Sequence, residues 1–355
     1  MAPLKLKMRE KPPAPATKVL YLVATLTPMF LIVAVIISMV GANPLVAYRE
    51  LFTAPFRNIH NVTEILVTTT PLLLIALGLS VSFRCKFWNI GAEGQLYAGA
   101  LASTATVLLL KDSATPSAVF IPLLLVVGFL GGAAWATISA VLKIKFQINE
   151  IITTLLLNFI MFYFLSFLLY GPWMDPISVM PQSELFPPAA RLPKLIPETR
   201  LHTGLFLAVL SIPLVYLILN KTVLGYQIRT TGSSLSAARF GGINVGKVFL
   251  LVVIISGGLA GLAGMGEVSG IYYRLRGDIS PGYGYTAILV ALLGKNHPGW
   301  VTLVAFLFGA LLVGGYEMQV ATGIPTALAL VTQPLIFFGV LCAEALSRYE
   351  VSWRK

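Results

Sequence analysis

The sequence is short of charge. Only 11% of its 355 residues are Asp, Glu, Lys or Arg, whereas 57% are hydrophobic. Soluble globular domains carry about 25% charged residues. We therefore exclude an ordinary soluble domain and predict an all-α, polytopic membrane protein that lies in the lipid bilayer. The net charge of +11 indicates basic cytoplasmic loops, and no nucleic-acid partner is predicted.

Metal-binding and redox residues are also few. The two cysteines, Cys85 and Cys342, each lie beside an apolar run, and the three histidines are isolated in loops. This pattern predicts neither a metal site nor a disulfide framework. Motifs such as HExxH, CxxC and GxSxG are absent, so neither catalytic residues nor an enzyme activity is predicted.

The sequence also lacks an energy source of its own. Residues Gly241–Lys247 have the spacing of a P-loop, but Val248 stands where Ser or Thr would hold Mg²⁺, and a helix is predicted where a strand should precede. Few ionisable residues lie deep in the apolar runs, which disfavours a carrier with a proton relay. We therefore expect no cofactor in this chain and expect the energy to come from a partner.

About ten apolar runs predict membrane helices. A span needs about 20 apolar residues, and only the run from Tyr283 is much shorter, at 12 residues. We predict a membrane domain over 19–346, a basic and disordered cytoplasmic tail at 1–18 and a cytoplasmic tail at 347–355. The predicted spans are Val19–Val40, Ile65–Val81, Leu96–Leu110, Ala118–Leu142, Ile151–Tyr170, Gly204–Leu219, Val248–Gly266, Tyr283–Gly294, Trp300–Tyr316 and Ala327–Ala343.

The loops predict the orientation of the chain. With ten crossings and a cytoplasmic N-terminus, most of the 25 Lys and Arg residues fall in cytoplasmic segments, as the positive-inside rule requires. Both termini are then cytoplasmic. The segment 171–203 becomes an external loop, in which seven prolines exclude a regular helix, and 221–247 becomes a cytoplasmic segment.

Two polar, glycine-containing breaks interrupt the apolar pattern at corresponding places. The first break, Cys85–Gln95, follows the second span, and the second break, Gly277–Ile288, follows the seventh. Since these spans run in opposite senses, we predict an inverted repeat with discontinuous helices, whose breaks form the substrate pathway of a transporter. Two alternatives stay open: the first break is a surface loop and not a re-entrant segment, or the glycines serve helix packing alone.

The cytoplasmic segment contains start and stop signals for a short helix. Ser233 or Ser234 can cap it, Arg239 lies in its last turn before Phe240, and Gly241 ends it. A short helix of modest polarity between two spans suits either the groove of a partner protein or the membrane surface. The residues alone favour neither.

Four stretches of the sequence resemble, in order, the permease subunits of ABC importers. They are FWNIGAEGQ at 87–95, INEIITTLLLN at 148–158, GSSLSAARFGGI at 232–243 and SPGYGYTAILVALLG at 280–294. More narrowly, they resemble the nucleoside branch of the branched-chain amino acid/ribose permease superfamily. This resemblance runs over most of 65–345 and leaves out the N-terminal tail and the loop 171–203.

The resemblance implies a transport subunit that passes nucleosides inward across the cytoplasmic (inner) membrane. It also implies an ABC ATPase subunit that uses ATP and Mg, a second permease subunit, homologous or identical, and an external substrate-binding protein. The helix that couples to the ATPase would comprise Ser233, Ser234, Ala237, Ala238, Arg239, Phe240 and Gly241. A simple-sugar permease of the ribose type and a self-contained secondary carrier stay open as alternatives.

Six residues of the two breaks are candidates for the substrate pathway. They are Trp88, Asn89, Glu93, Gln95, Tyr283 and Tyr285. The two amides can hydrogen-bond a ribose or a base edge, and the three aromatic rings offer faces to a planar ring. Glu93 belongs to the pathway or is a structural residue on the cytoplasmic side. For the aromatic residues, the alternative is the aromatic belt of the membrane interface.

Overall fold

The structure, a computed structural model, describes residues 4–8, 13–113, 115–178, 180–324 and 326–353. The chain divides into two compact units, a smaller one (Met1–Val62 with Ala310–Lys355) and a larger one (Thr63–Gly309). The helices are α1 (Pro15–Met39), α2 (Pro44–Thr53), α3 (Ile59–Arg84), α4 (Ala92–Leu110), α5 (Ser117–Phe146), α6 (Glu150–Leu169), α7 (Gly204–Lys221), α8 (Val223–Ser233), α9 (Leu235–Phe240), α10 (Val245–Gly266), α11 (Tyr283–Leu293), α12 (Pro298–Thr322) and α13 (Thr326–Arg348).

Each predicted apolar run lies, to within one residue, in one of these helices, which confirms the all-α, polytopic fold class. Among the described residues, seven helices are long and apolar enough to cross a membrane: α1, α3, α5, α6, α7, α12 and the run Val245–Tyr272, which continues α10. The helix α11 is apolar but shorter. The number of ten crossings therefore stays a prediction.

Glycine contacts between α4, α5 and α10 form the centre of the larger unit. A Cβ atom on Gly132 of α5 would overlap the Gly257 carbonyl oxygen of α10, and one on Gly99 of α4 would overlap Gly261 of α10. The three backbones can approach this closely only because these positions carry no side chain. This is the usual way in which membrane helices gain contact area.

The loops of the larger unit meet in two groups, one at each end of its helices. At one end, Arg84 Nε donates to the Asn296 carbonyl oxygen at 3.1 Å. At the other end, Lys111 Nζ lies 2.7 Å from a Glu184 carboxylate oxygen, and Leu192 N–H donates to Ser269 O. The first group holds loops predicted as cytoplasmic, and the second holds loops predicted as external. We call these the inner and outer ends.

The smaller unit has its own apolar core and a short sheet. Buried side chains from α1, α2 and the C-terminal part of α12 form the core, among them Ile37, Leu51 and Met318. The strand β1 (Leu4–Met8) pairs antiparallel with β2 (Tyr349–Trp353). The tail at 1–18 was expected to be disordered. In the structure β1 forms within it, and α1 begins at Pro15, since proline is well tolerated in a first helical turn.

Two helices, α2 and α8, lie outside the predicted spans. Asn43 accepts a hydrogen bond from Leu45 N–H and caps α2, with Pro44 as its first residue. Thr222 caps α8 in the same way through Gly225 N–H. Both have start signals that the sequence displays, but neither is a long apolar run. Among its described residues, the loop 171–203 has one 3₁₀ turn, Pro188–Ala190, and two isolated β-bridges, and it forms no longer helix, as its prolines predict.

Candidate functional site

The first break is a re-entrant segment inside the helix bundle. The helix α3 ends at Arg84, and α4 begins at Ala92. Between them, the Asn89 side chain is fully buried and donates to the Ser256 hydroxyl at 3.0 Å. Ser256 lies 11 residues beyond the start of α10, so it lies about 16 Å along the helix axis from the inner end. This depth decides between the two alternatives: the segment is not a surface loop.

A pair of amides holds the first break in shape. Asn89 Nδ2 donates to Gln95 Oε1 at 2.9 Å, and Gln95 Nε2 donates back to Asn89 Oδ1 at 2.8 Å. The same Asn89 oxygen accepts from Gly91 N–H at 3.0 Å. Both side chains are buried, and their hydrogen bonds are made within the protein. In this conformation the two amides therefore position the backbone and do not face an open pore.

The helix α6 supports the same break from one side. Asn158 Oδ1 accepts from Gly94 N–H at 2.8 Å, and Asn158 Nδ2 donates to the Ile90 carbonyl oxygen at 3.0 Å and to the Tyr285 hydroxyl at 3.2 Å. One turn earlier, Thr154 Oγ1 accepts from Ile90 N–H at 3.1 Å. Residues four apart share a helix face, so one face of α6 satisfies backbone groups that the break leaves unpaired.

The two breaks meet at Glu93. This residue lies in the first turn of α4, is 2% exposed, and accepts a hydrogen bond from Gly284 N–H at 2.6 Å. Gly284 lies in the first turn of α11, where backbone N–H groups have no partner within the helix. The carboxylate of Glu93 thus lies between two helix N-termini, whose dipoles favour negative charge. Gly284 is required here, because a Cβ atom would overlap the Glu93 backbone.

The three aromatic candidates occupy different surroundings. Tyr283 is buried, at 9% exposed, whereas Tyr285 is 38% exposed and holds Asn158 through its hydroxyl. Trp88 lies towards the inner end, where its ring lies 5.1 Å from that of Phe83. Asn89, Glu93 and Gln95 therefore lie together at the first break, and Tyr285 joins them through Asn158. Among the described residues, no hydrogen bond connects the side chain of Trp88 or Tyr283 to this group.

The predicted coupling helix is α9. Ser234 is its cap and accepts a hydrogen bond from Ala237 N–H at 3.2 Å. Ala238 is buried, while Phe240 at the tip is 98% exposed. An apolar ring left almost completely uncovered at the inner end suits contact with a protein partner. A groove of about 740 Å³ opens beside α9, and Arg239 and Phe249 are among the residues that line it.

A direct contact links α8, in the predicted cytoplasmic segment, to the first break. Gly232, in the last turn of α8, lies so close to the Arg84 carbonyl oxygen that a Cβ atom there would overlap it. Arg84 is the last residue of α3 and immediately precedes the break. The backbone of α8 therefore contacts the residue before the re-entrant segment without an intervening side chain.

The outer end holds charged residues that the sequence analysis did not select. Glu64 near the start of α3 forms an ion pair with Arg200 of the outer loop, whose Nε donates to the two carboxylate oxygens at 3.0 and 3.1 Å. This carboxylate raises the pKa of Arg200. Next to Arg200, His202 is buried, and burial lowers its pKa to about 4. Its Nδ1 accepts from Gly204 N–H at 3.1 Å, so His202 has a structural contact here.

Sequence reasoning missed several side chains of the site. Thr154, Asn158 and Ser256 hold the first break, and Ser280 accepts from Tyr283 N–H at 2.9 Å in the second. Thr154 and Asn158 could have been found as polar residues four apart in an otherwise apolar run. Ser256 carried no comparable signal. Within the described ranges, no group of three His, Cys, Asp or Glu side chains is placed to hold a metal ion.

Comparisons with known proteins agree with this architecture. The family model described as "Branched-chain amino acid transport system / permease component" matches residues 61–341. A glucose ABC transporter permease, TsgB13 of Haloferax volcanii, is 37% identical over 88% of this chain and 84% of its own length. A nucleoside permease, NupB of Lactococcus lactis, is 31% identical over 87% of both chains. A guanosine permease, NupP of Bacillus subtilis, is 30% identical over 88% of this chain and 90% of its own.

The family model covers most of the chain, and the matched region includes both breaks and α9. Members of this family are the membrane components of transport systems and are not enzymes. The chain belongs to the permease family of branched-chain amino acid transport systems and is a multi-pass membrane transport subunit.

Proposed function

We propose that this chain is the permease subunit of an ATP-driven ABC importer that carries nucleosides inward across the cytoplasmic membrane. The observation that supports this most is the meeting of two discontinuous helices at Glu93 inside the bundle. Half-helix ends in the membrane interior are the usual sites of substrate passage in transporters. The nucleoside assignment is supported by the two relatives whose names state nucleoside and guanosine transport.

In this proposal the predicted pathway residues divide into two roles. Asn89, Gln95 and Glu93 shape the break, since their hydrogen bonds are made within the protein. Tyr285 and Tyr283 contact the solute. Tyr285 has an accessible ring, which can lie against a nucleobase. Trp88 lines the inner mouth, or belongs to the aromatic belt of the interface.

Energy comes from partners in this proposal. An ABC ATPase uses ATP and Mg and docks against α9, with Ser233, Ser234, Ala237, Ala238, Arg239, Phe240 and Gly241 at the contact. A second permease subunit, homologous or identical, completes the pathway, and an external protein delivers the solute. Both termini are cytoplasmic. Phe240 supports docking of the ATPase at α9, because its ring is almost completely exposed at the inner end.

The direct test is uptake of labelled guanosine into proteoliposomes. The permease is reconstituted alone and together with its second permease subunit, ATPase and binding protein. We expect uptake only in the full assembly, dependent on ATP. Uptake by this chain alone, driven by an ion gradient, would overturn the proposal and make α9 a helix of the membrane surface.

The coupling role of α9 has its own test. We expect Phe240→Ala to lower both the uptake of guanosine and the copurification of the ATPase, because the exposed ring is the apolar anchor of the contact. Leu109→Ala is the matched control, since Leu109 is also highly exposed but lies near the outer end of α4. Equal behaviour of the two variants would contradict the docking assignment.

A second candidate substrate is a simple sugar. The glucose permease of Haloferax volcanii is more similar to this chain, at 37% identity, than the two nucleoside relatives. The uptake assay distinguishes the two classes by competition. An excess of unlabelled nucleosides that blocks uptake, with no effect of glucose, supports the nucleoside assignment, and the opposite pattern supports the sugar.

A further inference from the structure

A lysine near the inner end joins several elements of the larger unit. Lys143 lies in the last turn of α5, and its ammonium group forms an ion pair with Glu150 in the first turn of α6. The two side chains are only 21% and 11% exposed. A charge that is largely removed from water is costly unless it is paired. Lys143 therefore depends on its partners for its position.

Two aromatic rings also contact the ammonium group. Lys143 Nζ lies 5.0 Å from the ring centroid of Phe87 and 5.0 Å from that of Phe249. A cation at this distance is attracted to the ring face. The centroids of the two rings are 5.7 Å apart, with one edge towards the other. Phe87 is a fully buried residue of the first break, and Phe249 belongs to α10, so that Lys143 connects α5 to both.

Glu150 extends this connection to the backbone of the first break. Its Oε1 accepts a long hydrogen bond from Trp88 N–H, at 3.5 Å. Its carbonyl oxygen accepts from the Thr154 hydroxyl at 2.6 Å. The same hydroxyl accepts from Ile90 N–H at 3.1 Å. The first turn of α6 thus holds the break at two backbone positions, and Lys143 holds that turn.

Lys143 also borders two cavities beside α9. One is the groove of about 740 Å³, and the other is a smaller cavity of about 270 Å³ that Cys85 also lines. Lys143, Phe249 and Leu235 are among the residues that line both. Leu235 is the first residue of α9. The ion pair and its two rings therefore lie between α9 and the first break.

We propose that Lys143 is a positioning residue that connects the ATPase contact at α9 to the first break. The cavities leave α9 room to approach Lys143 and Phe249 when the ATPase docks. Since the ammonium group has to keep its anion and its rings, it passes this movement to Phe87 and, through Glu150, to the backbone of the break. Packed elements of this kind change between discrete arrangements. The inference rests on the proposed function and names a residue that couples its two sites.

The test measures guanosine uptake and ATP hydrolysis together in proteoliposomes with the full assembly. The amount of guanosine taken up per ATP hydrolysed reports the coupling, whereas a loss of folding or of docking lowers both rates in the same proportion. The variant is Lys143→Met, which removes the charge and keeps most of the length of the side chain. Lys145→Met is the matched control, since Lys145 lies in the same turn of α5 but is exposed and lines neither cavity.

Two further variants separate the charge from the space that the side chain fills. Lys143→Arg keeps the charge, and a guanidinium group also pairs with carboxylates and stacks on aromatic rings. The two cavities give the larger group room. Glu150→Gln removes the negative charge but keeps an oxygen that can accept from Trp88 N–H. A double variant, Lys143→Met with Glu150→Gln, tests whether the pair acts as one unit.

We expect Lys143→Met and Glu150→Gln each to lower guanosine uptake per ATP by about fivefold or more, which is the lower end of the usual coupling between two sites. Lys143→Arg and Lys145→Met should stay near the wild-type ratio. The double variant should fall no further than Lys143→Met, because the effects of residues in direct contact are not additive.

An unchanged ratio in Lys143→Met, an equal fall in Lys145→Met, or a proportional loss of uptake and hydrolysis would overturn the inference while leaving ATP-driven transport intact. If the wild-type assembly takes up guanosine without ATP, the proposed function is the one that fails. If it imports glucose and no nucleoside, the nucleoside assignment fails, and the same ratio measured with glucose decides on the role of Lys143.

Discussion

Replacing Asn158 should destabilise the protein strongly, although this residue lies far from both ends of the bundle. Its side chain makes three hydrogen bonds, to Gly94 N–H, the Ile90 carbonyl oxygen and the Tyr285 hydroxyl. In Asn158→Ala, two buried backbone groups of the first break lose their partner. Each costs about 1–3 kcal/mol, so the free energy of unfolding should fall by about 2–6 kcal/mol.

That magnitude exceeds the usual value for such bonds. Side-chain hydrogen bonds between membrane helices contribute about 0.6 kcal/mol on average, because the unfolded chain in the membrane finds other partners. The larger figure is expected at Asn158, since it pairs the carbonyl oxygen of Ile90 in the non-helical segment and the N–H of Gly94 in the first turn of α4. Neither group has a partner within a helix.

The assay is denaturation of the purified chain in detergent, followed by circular dichroism. Asn158→Leu separates the lost hydrogen bonds from a cavity, because leucine fills the space of the side chain and makes no hydrogen bond. Asn220→Ala is the matched control, since Asn220 also donates to a backbone carbonyl within a helix, but this hydrogen bond is exposed. Asn158→Ala and Asn158→Leu should both unfold well before Asn220→Ala. If the three variants unfold alike, the first break is not held by α6 as we argue.

Two further predictions concern the second break and the outer loop. Gly284→Ala should abolish uptake, because the added Cβ atom would overlap Glu93. Gly277→Ala should be tolerated, since no atom lies within 4 Å of a Cβ atom there. Uptake assays and expression levels check both variants, and an equal loss of uptake in the two would contradict the reasoning. The pKa of His202 lies near 4 in the folded chain and near 6.5 in the unfolded chain. Between these two values only the unfolded chain binds the proton. The free energy of unfolding therefore falls by up to about 3 kcal/mol as the pH is lowered from 6.5 to 4. In His202→Asn this component should disappear, and an unchanged pH profile of thermal unfolding would show that His202 does not titrate in this way.

The apolar runs determined the fold class without help from the structure. A bilayer tolerates only backbone that satisfies its own hydrogen bonds, so long uncharged runs become helices. The capping signals were equally local: Ser234 and Gly241 mark the ends of α9 because a cap depends on residues within one turn. The positions of the two breaks were also visible, since glycine and polar residues in an apolar pattern interrupt it wherever they fall.

The tertiary structure alone decided what the residues of the breaks do. The sequence around Asn89 and Gln95 is compatible with a surface loop and with a buried pair of amides. Only the contact of Asn89 with Ser256, deep in α10, distinguishes the two arrangements. Glu93 is an ordinary acidic residue in the sequence, and its role depends on Gly284, which lies 191 residues away. Helix packing sets the contacts between residues so distant in the chain, and a local sequence pattern does not predict that packing.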